Sequence, residues 1–303
     1  MPASQARTGA GAKRHQAGGP ARAGTVGINL VTARSRLKEA GVASPALDAE
    51  VLLGHVLGAT RELLRSHPEA PMNARETSRY RALVTRRARH VPVAYLTGRK
   101  EFYGHSIAVS PSVLIPRPET ELLVEQALEF IRAHPSVTRV IDLGTGSGAV
   151  SIALASAVRR IRVEAIDLDP RALTVARRNL RAHGLLSRVT LRRGDLLAGV
   201  RKTHCVVANL PYLSLARRRR LPPDVRHEPA RALNGGRDGL DLIRRAIAQA
   251  PNVLRRPGCL LVECDPAQAR SVLALARKAF PYGTAEVLRD LTGRPRVVRV
   301  MVE

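Results

Sequence analysis

One short segment, VIDLGTGSG at residues 140–148, combines an acid with closely spaced glycines at a predicted strand-to-helix junction. Glycine lets the backbone turn tightly and approach a ligand closely where a helix begins. A G-x-G-x-G turn is shared by several nucleotide-binding folds, so the neighbouring residues must specify the ligand. The candidate cofactor-binding residues here are Asp142, Gly144, Thr145, Gly146, Ser147 and Gly148.

A second acid, Asp167, ends the next predicted strand, where a carboxylate can accept hydrogen bonds from ribose hydroxyls. The glycine spacing differs from the dinucleotide pattern G-x-G-x-x-G. An acid before the glycines suits S-adenosylmethionine, whose bound end is a cationic sulfonium and amino acid rather than a pyrophosphate. The alternative is a tight turn that binds no ligand. Asp169, two residues later, is predicted to cap the following helix.

Asp195 and Leu196 follow the next predicted strand. Ligands of doubly wound sheets bind outside the carboxyl ends of the strands. We therefore expect Asp195 to accept from an adenine amino group and Leu196 to pack against the ring. A solvated loop acid is the alternative for Asp195.

The segment Asn209-Leu210-Pro211-Tyr212 also ends a predicted strand and is the candidate catalytic and substrate-binding site. An amide or exocyclic amine nitrogen is a poor nucleophile because its lone pair is delocalised. The Asn209 side-chain oxygen and the Leu210 carbonyl can accept its two N–H protons and aim the lone pair at a methyl group. Pro211 would fix the backbone, and Tyr212 would offer a flat apolar face to the substrate group. Such catalysis is mainly orientation and requires no metal.

The elements that must position these residues alternate along the chain. Strands are predicted at 138–143, 161–167, 188–193, 204–209, 258–264, 283–288 and 295–302, with helices at 148–158, 170–183, 239–255 and 267–280. This alternation predicts parallel βαβ units in a doubly wound, Rossmann-like α/β sheet with an antiparallel edge.

Four regions are predicted along the chain. Residues 1–24 contain no acid and almost no large apolar side chain, which predicts a disordered basic tail or, as an alternative, a transit peptide. Residues 25–91 have helical periodicity and no catalytic motif, so we expect a helical bundle that recognises the substrate. Residues 92–115 are predicted to form a β-hairpin connector from the alternating run at 93–110, and 116–303 the catalytic domain.

Composition limits the classes of function. The 303 residues carry 50 Lys and Arg against 25 Asp and Glu, a net charge of +25 that favours nucleic acid or acidic protein surfaces as partners. Aromatic residues make up only 3%, which argues against stacking on single-stranded bases. No apolar run approaches the length of a membrane span. Cys205, Cys259 and Cys264 form no metal or redox motif and are predicted to be buried in a reducing, cytoplasmic setting.

Together these segments resemble the HemK/PrmC family of protein-(glutamine-N5) methyltransferases. The resemblance covers residues 27–302 and rests on VPVAYLTGRKEFYG (91–104), LIPRPETELLVE (114–125), VIDLGTGSGA (140–149), NLPY (209–212), EPARAL (228–233) and RDLTGRPRVV (289–298). It implies a class I S-adenosylmethionine-dependent fold and, as substrate, the Gly-Gly-Gln glutamine of peptide chain release factors. It also implies cofactor contacts from 144–148, Asp167, Leu196 and Asn209, and substrate contacts from 209–212.

One departure from the family pattern leaves the substrate open. The family usually has Asn-Pro-Pro-Tyr, whereas Leu210 stands here in place of the first proline. Asn-Leu-Pro-Tyr is also similar to the motif of ribosomal RNA adenine dimethyltransferases. The alternatives are therefore methylation of an exocyclic amine of RNA or DNA, which the arginines at 217–220 would favour, and a non-enzymatic RNA- or ribosome-binding relative. We expect a monomer with release factors as partners, weak RNA contact through the basic surface and no membrane association.

Overall fold

The computed structural model describes residues 24–303. The predicted basic tail therefore lies outside the described residues, apart from Gly24. The chain divides into two compact units, one ending at Arg89 and one spanning His90–Glu303. No helix within residues 24–303 is long and apolar enough to cross a membrane.

The first unit consists of helices in its described part. They are α1 (Val26–Glu39), α2 (Pro45–Leu57), α3 (Arg61–Ser66) and α4 (Ala74–Arg87). The start of α4 is a capping box, in which Asn73 and Glu76 exchange side chain–backbone hydrogen bonds of 2.9 Å. Tyr80 is fully buried, and its hydroxyl donates to the Ala49 carbonyl at 3.1 Å, which ties α4 to α2.

The second unit begins with a short helix, which corrects the prediction of a hairpin over 93–110. Helix α5 (Val93–Thr97) precedes the two hairpin strands β1 (Arg99–Phe102) and β2 (His105–Ala108). Gly98 ends the helix in the left-handed conformation at φ 74°. The β-branched and aromatic residues of 93–97 signalled burial rather than a strand, since Tyr95 is buried and donates to the Val113 carbonyl at 2.6 Å.

A seven-stranded sheet forms the rest of this unit and confirms the predicted α/β fold. Its strands are β3 (Arg139–Leu143), β4 (Arg162–Asp167), β5 (Val189–Arg193), β6 (Thr203–Ala208), β7 (Leu254–Glu263), β8 (Thr284–Arg289) and β9 (Pro295–Val302). The order is β5-β4-β3-β6-β7-β9-β8. The first five strands in this order are parallel, and β9 runs antiparallel to both of its neighbours.

Helices accompany the sheet strands along the chain. They are α6 (Glu121–Ala133), α7 (Ala149–Ala157), α8 (Pro170–Ala182), α9 (Leu215–Arg218), α10 (Ala230–Leu233), α11 (Asp241–Gln249) and α12 (Ala269–Ala279). Successive strand residues belong to two separate apolar clusters, as the alternation of side chains across a sheet requires. Helices α6, α7 and α8 contribute to one cluster, and α11 and α12 to the other. All three cysteines are buried and unpaired.

Candidate active site

The predicted chemical residues meet at one cavity at the carboxyl ends of the parallel strands. The direction of the strands explains why these residues lie together. Strands β3, β4, β5 and β6 are parallel, and one of the predicted segments lies at or just after the carboxyl end of each. The cavity is lined by Asp142, Gly144, Thr145, Gly146, Ser147, Asp167, Asp195, Leu196, Asn209, Leu210 and Pro211. The predicted residues Gly148 and Tyr212 are not part of its lining.

The glycine turn after β3 lies directly against the loop that carries Asn209. Gly144 has φ 76°, and its N–H donates to the Ile166 carbonyl at 2.9 Å. A Cβ atom on Gly144 would lie 3.2 Å from both the Asn209 carbonyl oxygen and Leu210 Cδ2. Any other residue at this position would strain the turn and crowd the loop. The glycine therefore brings the predicted cofactor turn and the predicted catalytic loop together.

Gly148 serves packing rather than the cavity wall. It stands at the N-cap of α7 with φ 82°, and a Cβ atom there would lie 3.3 Å from the Ala176 Cβ of α8. Its predicted cofactor contact stays a prediction.

Asp142 is a buried carboxylate that its neighbours hold in one orientation. Its Oδ2 accepts hydrogen bonds from the Thr145 hydroxyl at 2.7 Å and from the backbone N–H and hydroxyl of Ser151 at 3.1 and 2.6 Å. Burial raises the pKa of Asp142, although these hydrogen bonds oppose the shift.

Asp167 shapes the glycine turn from the end of β4. Its Oδ2 accepts from the Gly146 N–H and its Oδ1 from the Asp169 N–H, both at 2.9 Å. Burial raises the pKa of Asp167, and the backbone hydrogen bonds counteract this. A carboxylate offers about four acceptor positions, so both oxygens can still accept from a ligand hydroxyl. Asp169 caps α8 as predicted, accepting from the Arg171 N–H at 2.9 Å.

Asp195 and Leu196 form another part of the wall. Asp195 is bonded to Arg245 at 2.6 Å, with both side chains about half exposed. Leu196 is buried and has φ 53°, a left-handed conformation that is costly for a bulky residue. Such strain concentrates where a ligand is held, which favours a functional role for Leu196.

The loop after β6 is fixed from two sides. The Asn209 side-chain Nδ2 donates to the Thr120 hydroxyl at 2.9 Å. The Tyr212 hydroxyl donates to Glu263 Oε1 at 3.4 Å, and burial raises the pKa of Tyr212. The contact predicted between the Tyr212 ring and the substrate stays a prediction, because the ring is not part of the cavity wall.

A glycine-rich segment supports this loop and escaped the sequence analysis. A Cβ atom on Gly235 would lie 2.7 Å from the Pro211 carbonyl oxygen, and one on Gly239 would lie 2.3 Å from that of Tyr212. Gln268 Nε2 also donates to the Tyr212 carbonyl at 3.0 Å. The run GGRDG after EPARAL was the available signal, since clustered glycines mark close backbone approach.

A buried glutamate holds the cavity wall at residues 113–117, which the sequence analysis also missed. Glu228 Oε2 accepts from the Ile115 N–H at 3.2 Å, and its Oε1 accepts from the Arg117 guanidinium. Burial raises the pKa of Glu228, and Arg117 opposes this shift. The opposite charges of these two residues, within LIPRPETE and EPARAL, were the signal in the sequence.

Comparison with known proteins gives matches in both units. The family described as the PrmC N-terminal domain matches residues 30–98, and the methyltransferase small domain family matches residues 119–220. The release factor glutamine methyltransferase of Moorella thermoacetica is 44% identical over 263 residues, covering 86% of this chain and 93% of the relative. That of Deinococcus radiodurans is 43% identical over 273 residues, covering 89% and 96%. The chain belongs to the release factor glutamine methyltransferase family.

Membership of the release factor glutamine methyltransferase family confirms the resemblance found in the sequence and the expectation of a methyltransferase enzyme. The same fold also occurs in proteins with little sequence similarity to this chain. The hMettl16 catalytic domain, solved in complex with the MAT2A 3′UTR hairpin 6, is 16% identical with a TM-score of 0.52, covering 75% of this chain and 82% of that one. At this identity the likeness shows the fold alone.

Proposed function

We propose that this chain transfers a methyl group from S-adenosylmethionine to the side-chain amide nitrogen of the glutamine in the Gly-Gly-Gln motif of peptide chain release factors. The observation that carries the proposal is the contact between the glycine turn and the Asn209 loop in a member of this family. A methyl donor held by the turn would lie next to the residues able to orient an amide.

The cavity fits S-adenosylmethionine by its chemistry. Four carboxylates and one arginine, Arg231, line it together with apolar residues such as Leu196; the carboxylates are Asp142, Asp167, Asp169 and Asp195. Carboxylates suit a cationic ligand and its ribose hydroxyls, and they disfavour the pyrophosphate of a dinucleotide. We assign Asp167 to the ribose, Asp195 and Leu196 to the adenine, and Asp142 with the glycine turn to the cationic end. When bound, S-adenosylmethionine supplies an electrophilic methyl group.

The protein's contribution is the orientation of the substrate amide. Asn209 donates through Nδ2 to Thr120, so its Oδ1 remains an acceptor for one substrate N–H. The Leu210 carbonyl would accept the second N–H, as in the scheme inferred from the sequence. Holding both protons directs the nitrogen lone pair at the methyl group. As the N–C bond forms, the methyl–sulfur bond would break and release the neutral thioether, and one N–H proton would pass to solvent. Such positioning supplies a large part of a barrier reduction without acid–base chemistry.

We propose that the first unit recognises the release factor. Its support is the match of residues 30–98 to a domain of this family, together with the absence of a chemical motif from 25–91. The domain limits proposed from the sequence, 25–91, 92–115 and 116–303, lie close to the division after Arg89. We further propose a cytoplasmic location, since three buried, unpaired cysteines fit a reducing compartment, and we keep a monomer as the default.

Transfer of a labelled methyl group tests the proposal. The purified chain is incubated with methyl-labelled S-adenosylmethionine and one of three acceptors: a release factor, the same factor with the motif glutamine replaced by alanine, or ribosomal RNA. We expect label on the intact release factor alone. Label on the RNA alone would overturn the proposal and favour methylation of an exocyclic amine of RNA. Label on no acceptor, although the cofactor binds in calorimetry, would favour a non-enzymatic relative.

A further inference from the structure

A buried glutamate, Glu263, ends β7 beside the proposed catalytic loop. Strands β6 and β7 are parallel with Ala208 opposite Val262, so the next residues, Asn209 and Glu263, are neighbours at the carboxyl edge of the sheet. Glu263 is only 1% exposed. Its Oε1 accepts from the Tyr212 hydroxyl at 3.4 Å, and its Oε2 is buried without a hydrogen-bond partner among the described residues.

No direct ion pair within residues 24–303 explains this burial. Arg296, a cation whose charge acts on Glu263, is bonded to Asp290 at 3.3 Å and lies 4.0 Å from Glu119. Burial raises the pKa of Glu263 to about 7, and Glu119 adds to the shift, while Thr120, Arg296 and Tyr212 oppose it. A buried carboxyl without an ion pair costs stability. Its presence therefore calls for a role that an apolar residue could not fill.

The hydroxyl of Thr120 connects Glu263 to Asn209. A threonine hydroxyl has one proton to donate and two lone pairs that accept. Thr120 Oγ1 accepts from Asn209 Nδ2 at 2.9 Å, and the same hydroxyl lies close enough to the Glu263 carboxyl to lower its pKa as a hydrogen-bond donor. Because an ionised carboxylate can only accept, we infer that the Thr120 proton is directed at Glu263 and that Thr120 acts only as an acceptor towards Asn209.

This arrangement determines which way the Asn209 amide faces. With Thr120 as an acceptor, Asn209 must direct Nδ2 at it and keep Oδ1 for the substrate. The opposite orientation would present an N–H group to the substrate N–H groups, and the two donors would repel each other. The amide orientation that the reaction requires therefore depends on an acceptor at position 263.

We propose that Glu263 is a positioning residue, which acts through Thr120 to set the amide orientation of Asn209. The proposal rests on the proposed function, because it assigns Asn209 Oδ1 to the substrate amide. It predicts that the hydrogen-bonding character of residue 263 matters more than its shape.

Single-turnover methylation of a release factor at about pH 8.5, where Glu263 is ionised, tests the proposal. Glu263→Gln fills the same space, but it can offer an N–H to Thr120 and so no longer forces the orientation. We expect it to lose roughly tenfold in rate, the effect of about one hydrogen bond. Thr120→Val should lose at least as much, whereas Thr120→Ser keeps the hydroxyl and should retain most of the rate. S-adenosylmethionine affinity should be unchanged in Glu263→Gln, because Glu263 is not part of the cavity lining.

A double variant separates coupling from independent damage. If Glu263 acts through Thr120, Thr120→Val with Glu263→Gln should be no slower than Thr120→Val alone. Multiplicative losses, or a fully active Glu263→Gln enzyme, would overturn the proposal. A role in packing alone predicts that the isosteric Glu263→Gln enzyme has wild-type rates.

A spectroscopic readout keeps this inference separate from the proposed function. With ¹⁵N-labelled asparagine, the side-chain amide signals of Asn209 are assigned by their loss in Asn209→Ala. We expect a hydrogen-bond-shifted proton that moves in both Glu263→Gln and Thr120→Val. Asn209 amide signals that are unchanged in Glu263→Gln would contradict the inference, whichever substrate the enzyme methylates. A wild-type enzyme inactive on release factor would contradict only the proposed function.

Discussion

At the scale of single residues, the chemistry depends on which hydrogen-bonding atoms the fold already occupies. Each oxygen of Asp167 holds one backbone N–H, and Asn209 has committed Nδ2 to Thr120. What remains, acceptor positions on Asp167 and Oδ1 on Asn209, matches what ribose hydroxyls and a substrate amide require. The occupied atoms hold these acceptors in place before a ligand arrives.

Replacing Asn209 with alanine removes the side-chain acceptor while the glycine turn keeps its own hydrogen bonds. We expect a rate loss of roughly a hundredfold, the usual effect of losing one positioning hydrogen bond in a transition state. Affinity for S-adenosylmethionine in calorimetry should change much less. Asn252→Ala, at an exposed position, is the matched control and should have wild-type rates. Full activity of Asn209→Ala would contradict the scheme.

Leu210→Pro restores the residue usual in the family and keeps the backbone carbonyl, so we expect methylation to be retained. Leu210 is only 4% exposed and belongs to an apolar cluster, so its loss should lower the free energy of unfolding by roughly 1–3 kcal/mol. Urea denaturation and single-turnover rates measure the two effects separately. A stable but inactive Leu210→Pro enzyme would argue against the carbonyl as the second acceptor.

Glu263 should also give the folded chain a measurable pH dependence. Its pKa rises from 4.5 to about 7 on folding, so between these values the folded state binds a proton that the unfolded state releases. This contribution to stability is full below about pH 4.5 and is lost as the pH rises through 7, amounting to at most about 3 kcal/mol.

Urea denaturation of the wild-type and Glu263→Gln proteins between pH 5 and 8 measures this difference. Other buried acids with raised pKa values, such as Asp142, Asp167 and Glu228, are present in both proteins, and their effects cancel. We expect Glu263→Gln to gain stability relative to the wild type as the pH rises. A difference that is constant across this range would show that Glu263 titrates normally.

At the scale of elements, the proposed catalytic loop, residues 209–212, takes its shape from segments distant in sequence. Gly239 has φ 84°, and a Cβ atom there would lie 2.3 Å from the Tyr212 carbonyl oxygen and 2.4 Å from Gln268 Nε2. Residues 235–239 therefore pack directly against the backbone of residues 209–212.

Gly239→Ala should displace the loop and lower the methylation rate at least tenfold. Gly184→Ala is the matched control, because Gly184 also has a positive φ, 68°, but no atom lies within 4 Å of the added Cβ. Both variants carry a conformational penalty of about 1 kcal/mol. Only Gly239→Ala should lose activity, and equal rates in the two variants would contradict a supporting role for this segment.

Patterns within single segments were readable from the sequence, whereas contacts between distant segments were not. Period-2 and period-3.6 patterns predicted the sheet, and strand polarity placed Asp142, Asp167 and Asn209 at one edge. Thr120 and Asn209, in contrast, are 89 residues apart, and Ile115 and Glu228 are 113 apart. No local pattern encodes such pairs. The same limit explains the wrong prediction at α5. The aromatic residue Tyr95 suggested a strand, whereas it is buried and bonded to a carbonyl in another segment.

At the scale of the whole molecule, chemistry and recognition are proposed to lie in separate units. Both large apolar clusters, and every residue lining the cavity, belong to His90–Glu303. This unit therefore has a core of its own and should fold without the preceding residues.

A chain consisting of residues 90–303 should bind S-adenosylmethionine with nearly the affinity of the full chain but fail to methylate intact release factor. The physical reason is that all residues lining the proposed cofactor cavity belong to this unit, while the proposed recognition surface is removed. Calorimetry and labelled-methyl transfer, each with the full chain as control, measure the two properties. Full activity of the shortened chain would place recognition in the second unit.

The most direct test of the central claim locates the transferred methyl group. Release factor treated with the full chain and S-adenosylmethionine is digested, and the Gly-Gly-Gln peptide is fragmented in a mass spectrometer. We expect a single methyl group on the side-chain amide nitrogen of that glutamine, and far less of it after the same treatment with the Asn209→Ala protein. A methyl group on another residue, or a release factor left unmodified while RNA is methylated, would contradict it.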